Sequence, residues 1–195
     1  MDKKPDWGKF WLRSPLTRSK TYFKLYTRFR LRAYLRLLKN LDLSGKTTLE
    51  LGGGSGYLSK LLSKKKGTKP LVVDNNREAY EFCRKINSEI EYFCQDMFKH
   101  RGKYDLVFSD GLVEHFYPGK EREGVIALHK KLLKKGGQCI IFVPKKSWLV
   151  RKFMSMKNEY EEKFTLEQLK KEAKSAGLRI LAGTSDLHMV GILCK

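Results

Sequence analysis

Acidic residues are scarce, cysteines are few and scattered, and long apolar runs are missing. The chain has 195 residues, with 21 Asp and Glu against 41 Lys and Arg, a formal net charge of +20 at pH 7. No uncharged apolar run approaches the roughly 20 residues that a membrane-spanning helix needs. The opening residues, MDKKPDWGKFWLRSP, lack the apolar stretch and small-residue cleavage site of a secretory signal. A soluble, cytoplasmic protein is expected. Cys83, Cys94, Cys139 and Cys194 form no Cys-x-x-Cys pair and have no His at ligand spacing. That argues against a zinc site or a disulfide framework and for four buried, reduced thiols. What is present is enough for a core: hydrophobic residues make up 41% and aromatics 12%, which excludes a wholly disordered chain. The length fits one domain.

The positive charge is concentrated. Residues 1–40 hold twelve Lys and Arg against Asp2 and Asp6, with eight aromatics interleaved. Lys24, Arg28, Arg32 and Arg36 recur every four residues and would form one basic stripe on a helix over about 20–40. Leu25, Phe29, Leu35 and Leu38 are expected on its apolar side. Residues 1–44 are therefore read as a basic, aromatic N-terminal helical extension, and 45–195 as the main domain.

From Lys46 onward strands alternate with helices. Strands are expected at Thr47–Leu51, Leu71–Val73, Glu91–Cys94, Asp105–Phe108 and Gln138–Val143, with two more at Leu178–Leu181 and Leu187–Leu193. Helices are expected at Tyr57–Lys66, closed by Gly67, at Arg77–Ile86, and at Glu121–Lys135, capped by Gly136. Thr165-Leu-Glu-Gln168 fits a capping box that opens a last helix closing near Gly177. The alternation predicts an α/β fold, a Rossmann-like three-layer sandwich with a central, mostly parallel sheet and a C-terminal antiparallel hairpin.

The most informative stretch is Thr48-Leu-Glu-Leu-Gly-Gly-Gly-Ser-Gly-Tyr-Leu58, which ends a strand and opens a helix. Open α/β sheets bind nucleotides at that place. A dinucleotide G-x-G-x-x-G fingerprint begun at Gly52 would need a small residue where Tyr57 stands. No Gly-Lys-Ser/Thr follows, so a P-loop is excluded. What fits is an acid followed by three alternating glycines: Glu50, Gly52, Gly54 and Gly56.

This pattern resembles the cofactor motif of class I S-adenosylmethionine (SAM) dependent methyltransferases, and five later landmarks are similar in order over roughly residues 46–195: Asp74, Asp96-Met97, Tyr104–Phe116, Leu132–Pro144 and Phe164–Gly177. The likeness is to the type 11, small-molecule branch. It implies SAM as cofactor and no metal. It implies that Asp74, in Leu71-Val-Val-Asp-Asn75, faces the ribose hydroxyls with Asn75 beside it. Asp96 and Met97 would face the adenine, and Asp110 would belong to the cofactor set. Other roles are open for three of these: Asp74 as the cap of the next helix, Asp96 as a turn residue, and Glu50 as an organiser of the turn.

Methyl transfer to an acceptor lone pair needs positioning above all, and a base only if the acceptor must lose a proton. The candidate base is His115, in Asp110-Gly-Leu-Val-Glu-His115; Glu114 is no better placed, and His100, His129 and His188 are expected in solvated or late-strand settings without chemistry. No Asp/Asn-Pro-Pro-Tyr follows the fourth strand, and no cysteine stands there to attack a pyrimidine. The Glu-His segment looks like that of small-molecule or lipid-precursor O/N-methyltransferases. The basic extension favours an anionic acceptor, narrowly RNA, engaged through Lys24, Arg28, Arg32 and Arg36. An anionic membrane surface and a non-catalytic RNA-binding module with this fold are the competing readings. Residues 147–160, with Trp148, Phe153, Met154 and Met156, are expected either to lid the acceptor pocket or to pack against the N-terminal helix.

Overall fold

The computed structural model describes residues 20–148, 150 and 160–195, without the side chains of residues 20–26 and 29. Seven strands form a mostly parallel sheet that ends in an antiparallel hairpin, the expected Rossmann-like α/β fold. The described chain comprises two compact units, residues 20–102 and residues 103–195.

The first unit opens with α1 (Lys20–Leu37). Its buried positions among the described side chains are Thr27, Arg30, Leu31, Ala33, Tyr34, Leu37 and, just beyond it, Leu38. That three-and-four spacing is the apolar stripe of a docked helix. Arg28, Arg32 and Arg36 lie on the exposed side, as expected. The buried side differs in part from the expectation: Leu38 is in it, Leu35 is half-exposed, and Leu25 and Phe29 fall outside the described side chains. The cause is phase, since Leu31 and Tyr34 turn the stripe away from Leu35. Lys66 Nζ donates to the carbonyls of Leu38 and Leu41 (2.8 and 3.1 Å). A cation there complements the negative end of the helix.

Three parallel strands follow, β1 (Thr47–Leu51), β2 (Lys69–Asp74) and β3 (Glu91–Cys94), in the order β3-β2-β1. Between them run α2 (Tyr57–Lys66) and α3 (Arg77–Ile86), with the expected boundaries. Gly67 closes α2 in the left-handed region (φ 67°), its N–H donating to the Ser63 carbonyl at 2.7 Å. β1 is buried from Thr48 to Leu51, as a strand covered on both faces must be. Cys94 is exposed, against the expectation of four buried thiols, because it ends β3.

The second unit holds β4 (Tyr104–Asp110), α4 (Lys120–Lys131), β5 (Leu133–Pro144), α5 (Leu166–Ser175), β6 (Ile180–Ser185) and β7 (Met189–Cys194). Its strand order is β4-β5-β7-β6. The helix expected to reach Lys135 stops at Lys131, and Gly136 lies inside β5 instead of capping it. The glycine pair serves the strand. β5 slips against β4 between the pairs Tyr104↔Leu133 and Leu106↔Gln138, and a Cβ on Gly137 would sit 3.0 Å from the Tyr104 carbonyl oxygen. The capping box forms as read: Thr165 Oγ1 accepts from the Gln168 N–H (3.1 Å), and Gln168 Oε1 accepts from the Thr165 N–H (2.9 Å).

Two buried polar residues brace this unit. Arg122 donates to the Phe116 carbonyl (2.9 Å), to Glu162 (2.6 Å), to Glu172 (3.1 Å) and to the Tyr160 hydroxyl (3.0 Å), with its guanidinium over the Phe164 ring. His129 and His100 are buried too, not solvated as expected. His129 Nδ1 faces the Val125 carbonyl at 2.9 Å, so that nitrogen carries the proton, and Nε2 accepts from the Ser109 hydroxyl at 3.0 Å. Burial pushes its pKa down to about 4.

That shift predicts a pH dependence. The unfolded chain binds the His129 proton near 6.5, whereas the folded chain refuses it until about 4, so folding is penalised as pH falls through that window. Urea unfolding should show stability dropping from pH 6.5 towards 4, by at most ~1.4 kcal/mol per pH unit for this group. The paired change Ser109→Ala with His129→Leu should flatten that slope; an unchanged slope would contradict the assignment.

Candidate functional site

The glycine turn connects β1 to α2 in the first unit. Gly52, Gly54 and Gly56 adopt φ of 62°, 50° and 65°, all in the left-handed region that side chains disfavour. The alternation read in the sequence is thus an alternation of backbone hand. Gly53 has ordinary backbone geometry but no room: a Cβ there would lie 2.8 Å from Glu50 Cγ and from Val72 Cγ1. Nothing in the spacing of the motif distinguished Gly53.

Glu50 is buried and organises the turn. Its Oε2 accepts from the Ser59 hydroxyl at 2.6 Å and from the Ser59 N–H at 3.3 Å, tying the first turn of α2 back to β1. Ser59, nine residues on, carried no signal in the sequence.

Asp74 ends β2, half-buried beside the turn. Its Oδ2 accepts from the Gly54 N–H (3.0 Å) and its Oδ1 from the Asn76 N–H (2.9 Å). The reading of Asp74 as a helix cap is overturned: Asn76 caps α3, its Oδ1 accepting from the Ala79 N–H at 2.7 Å. Burial pushes the Asp74 carboxyl above its ordinary range, opposed by N–H groups of Asn76, Gly54 and Asn75. These backbone bonds leave part of the acceptor capacity of an ionised carboxylate unused. Asn75 is exposed between Asp74 and the cap.

The parallel pairing of Asp74 with Cys94, and the Gln95 N–H bonded to the Asp74 carbonyl at 3.0 Å, set the segment after β3 beside the end of β2. There Asp96 Oδ1 accepts from the Phe98 N–H at 2.9 Å and opens a short 3-10 turn, Met97–Lys99. The turn role weighed for Asp96 is therefore real, and one of its oxygens is used by it. Glu50, the glycines, Asp74, Asn75, Asp96 and Met97 come together along the carboxyl ends of β1, β2 and β3.

These residues fit a nucleoside ligand. The Asp74 carboxylate beside the turn is suited to a diol, and the turn carries no lysine for a phosphate chain. Among the described residues no group of three or more His, Cys, Asp and Glu is placed to hold a metal.

The remaining candidates lie in the second unit at the carboxyl end of β4. Asp110 is half-buried at its last position. Val113–His115 form a 3-10 turn, with Glu114 and His115 both buried. His115 Nδ1 faces the Tyr160 carbonyl at 3.3 Å, and Nε2 lies 3.8 Å from Glu114 Oε1. Burial lowers the His115 pKa, with the Tyr160 carbonyl opposing. The Glu114 carboxyl is pushed well above its ordinary range by burial, with Glu161 and Asp110 adding to the effect. Tyr160 carried no sequence signal. The expected lid lies largely outside the described residues; within it Trp148 is 68% exposed and Val150 is buried.

Comparison with known proteins bears on the family and the fold. A family model described as "Methyltransferase domain" matches residues 22–182. Ribosomal protein L11 methyltransferase of Thermosipho melanesiensis is 36% identical over 110 residues, covering 54% of this chain; the chain spans 40% of that protein's length. Among solved structures, the Haloferax volcanii complex of the Trm112 activator with a methyltransferase matches with TM-score 0.72 at 14% identity, over 90% of this chain and 93% of that one. Magnesium protoporphyrin IX methyltransferase of Synechocystis with bound SAM matches with TM-score 0.66 at 17% identity, over 93% and 84%.

Gly54→Val should therefore lower the melting temperature and abolish the further rise that SAM produces, since a branched side chain is strained at φ 50°. Asp74→Ala should keep the fold and weaken SAM binding by roughly 2–3 kcal/mol in calorimetry, the scale for hydrogen bonds to a charged group. Unchanged affinity would remove Asp74 from the ligand set.

Proposed function

The chain belongs to the methyltransferase-domain family, and we propose that it transfers the methyl group of SAM to an anionic acceptor, RNA. Bound SAM supplies an activated methyl group. In this reading the backbone of Gly52, Gly54 and Gly56 holds its amino-acid portion, and Asp74, with Asn75 beside it, takes the ribose hydroxyls. Asp96 and Met97 take the adenine, and Asp110 stays in the set on the resemblance alone. Glu50 acts from behind the turn. His115 is the base where the acceptor must lose a proton.

The observation that carries the acceptor class is the exposed row Arg28, Arg32 and Arg36 on α1, one helical turn apart. Guanidinium groups at that spacing track a phosphate backbone and are always charged. Lys24, which continues the row in the sequence, lies outside the described side chains. The basic row is read as an extension over residues 1–44 that serves the domain over 45–195. Among the described residues no helix is long and apolar enough to cross a membrane.

A second reading is a protein acceptor, favoured by the relative named for ribosomal protein L11. Transfer of labelled methyl from SAM into fractionated cell extract separates the two. Label should enter RNA, and changing Arg28, Arg32 and Arg36 together to Glu should reduce RNA retention at least tenfold at ~0.15 M salt. It should also make the log–log salt dependence shallower by about 2 for a single strand, with SAM-induced stabilisation unchanged. Label confined to protein selects the second reading, and label confined to small molecules rejects both.

A further inference from the structure

Among the described residues, one buried acid of the second unit stands apart. Glu114 Oε2 is enclosed and has no hydrogen-bond partner, and its side chain is 2% exposed. An enclosed polar atom left unpaired is costly and rare. The other oxygen, Oε1, lies 3.8 Å from His115 Nε2, and a Cβ on Gly111 would come within 3.4 Å of it. The opposite edge of the imidazole is fixed by the Tyr160 carbonyl, which makes Nδ1 the protonated nitrogen and leaves the Nε2 lone pair towards the carboxyl group. The carbonyl itself is held, because the Tyr160 hydroxyl bonds Arg122 and Glu162 (3.0 and 3.1 Å) and its ring packs on Tyr117. An acid and an imidazole lone pair thus face each other at 3.8 Å in an enclosed place.

We propose that Glu114 and His115 hold protons as one unit, in which Glu114 is a positioning residue that fixes how readily His115 Nε2 takes the proton released by the methyl acceptor. Glu114 is itself enclosed, so it acts through His115. The proton count is simple. With both groups unprotonated the pair is a carboxylate beside a neutral imidazole. When the acceptor X–H is methylated, the X lone pair bonds the carbon, the electrons of the broken carbon–sulfur bond stay on sulfur, and the proton leaves X for Nε2. The pair then holds one proton, as imidazolium beside carboxylate or, after a short shift, as neutral imidazole beside neutral acid. A second proton would make an imidazolium beside a neutral acid in a buried place, and enters only at much lower pH. Two groups coupled this closely titrate with apparent pKa values that belong to the pair.

The charged surroundings support the arrangement. Asp110 and Glu161 raise the proton affinity of Glu114, while Lys163, ion-paired to Glu161 at 2.8 Å, lowers it. From α4, Arg122 is committed to Glu162 and Glu172, and Glu121 accepts from the Tyr117 N–H.

The proposal deepens the assignment of His115 as base, and its test needs no acceptor. The full chain, labelled with 13C and 15N, is titrated by NMR while Glu114 Cδ and the His115 ring are followed. Both should report one common apparent pKa. Glu114→Gln removes the carboxylate that favours imidazolium, so the His115 transition should move down by more than about one pH unit. In His115→Gln the Glu114 transition should likewise leave the common value by more than about one unit, so either variant decides the matter if the other fails to fold. A His115 transition unmoved in Glu114→Gln, or a Glu114 transition unmoved in His115→Gln, overturns the proposal. The rise in melting temperature with SAM is read on the same samples. If it persists while the coupling is missing, the pair alone is refuted; if it is absent throughout, the methyl-transfer reading fails whatever the pair does.

Discussion

The bond from Ser59 to Glu50 is the contact on which the ligand-binding end of the first unit depends. A strand and a helix meet there with only five residues between them, and the helix must start close to the strand end. A buried carboxylate reaching the first turn of α2 fixes that distance. The intervening chain then has to reverse in very little space, which forces three positive φ values and leaves Gly53 against Glu50 itself. The glycines are consequences of the anchor as much as adaptations to a ligand. Asp74 completes the arrangement from the next strand: by accepting from Gly54 it orients the turn while keeping acceptor capacity in reserve.

Charge works differently in the two units. In the first, guanidinium groups stand exposed along α1, where each keeps its hydration and its long-range field. In the second, acids gather around the end of β4 and on the segment that follows the expected lid: Asp110, Glu114, Glu161 and Glu162, with Lys163 and Arg122 as partners. A net charge of +20 therefore says little about the potential at any one place. It speaks for long-range capture of anions, whereas the protonation of His115 is set by its burial and by neighbours a few ångströms away.

Much of the fold was legible because its signals are local. The limits of Arg77–Ile86 came out as read, although its cap is Asn76 and not Asp74. The Thr165–Gln168 box is complete in four residues. The failures share a cause. Gly136-Gly137 reads locally as a helix stop, but what those glycines serve is the approach of β5 to Tyr104, some thirty residues away. His129 reads locally as a residue among exposed lysines; only the fold reveals Ser109 opposite its Nε2. Ser59 under Glu50 and Tyr160 over His115 belong to the same class. Spacing motifs report what a turn needs from its own backbone, and they are silent on which distant side chain will brace it.

The braces themselves are polar, and this bears on how the second unit works. Arg122, His129 and Glu114 are all enclosed, and enclosing such groups lowers stability unless their bonds are complete. For Arg122 they are complete, with four kinds of partner and an aromatic ring beneath. His129 has an oxygen at each ring nitrogen, one accepting and one donating. Glu114 departs from that rule, with one oxygen bare. Gln138 Oε1, Asn87 Oδ1 and Tyr92 OH are also enclosed and bare among the described residues, but of these Glu114 is the one whose carboxyl group stands against an imidazole. A side chain retained at such a cost, next to an imidazole whose tautomer is held by a separately braced carbonyl, is better explained by proton chemistry than by stability.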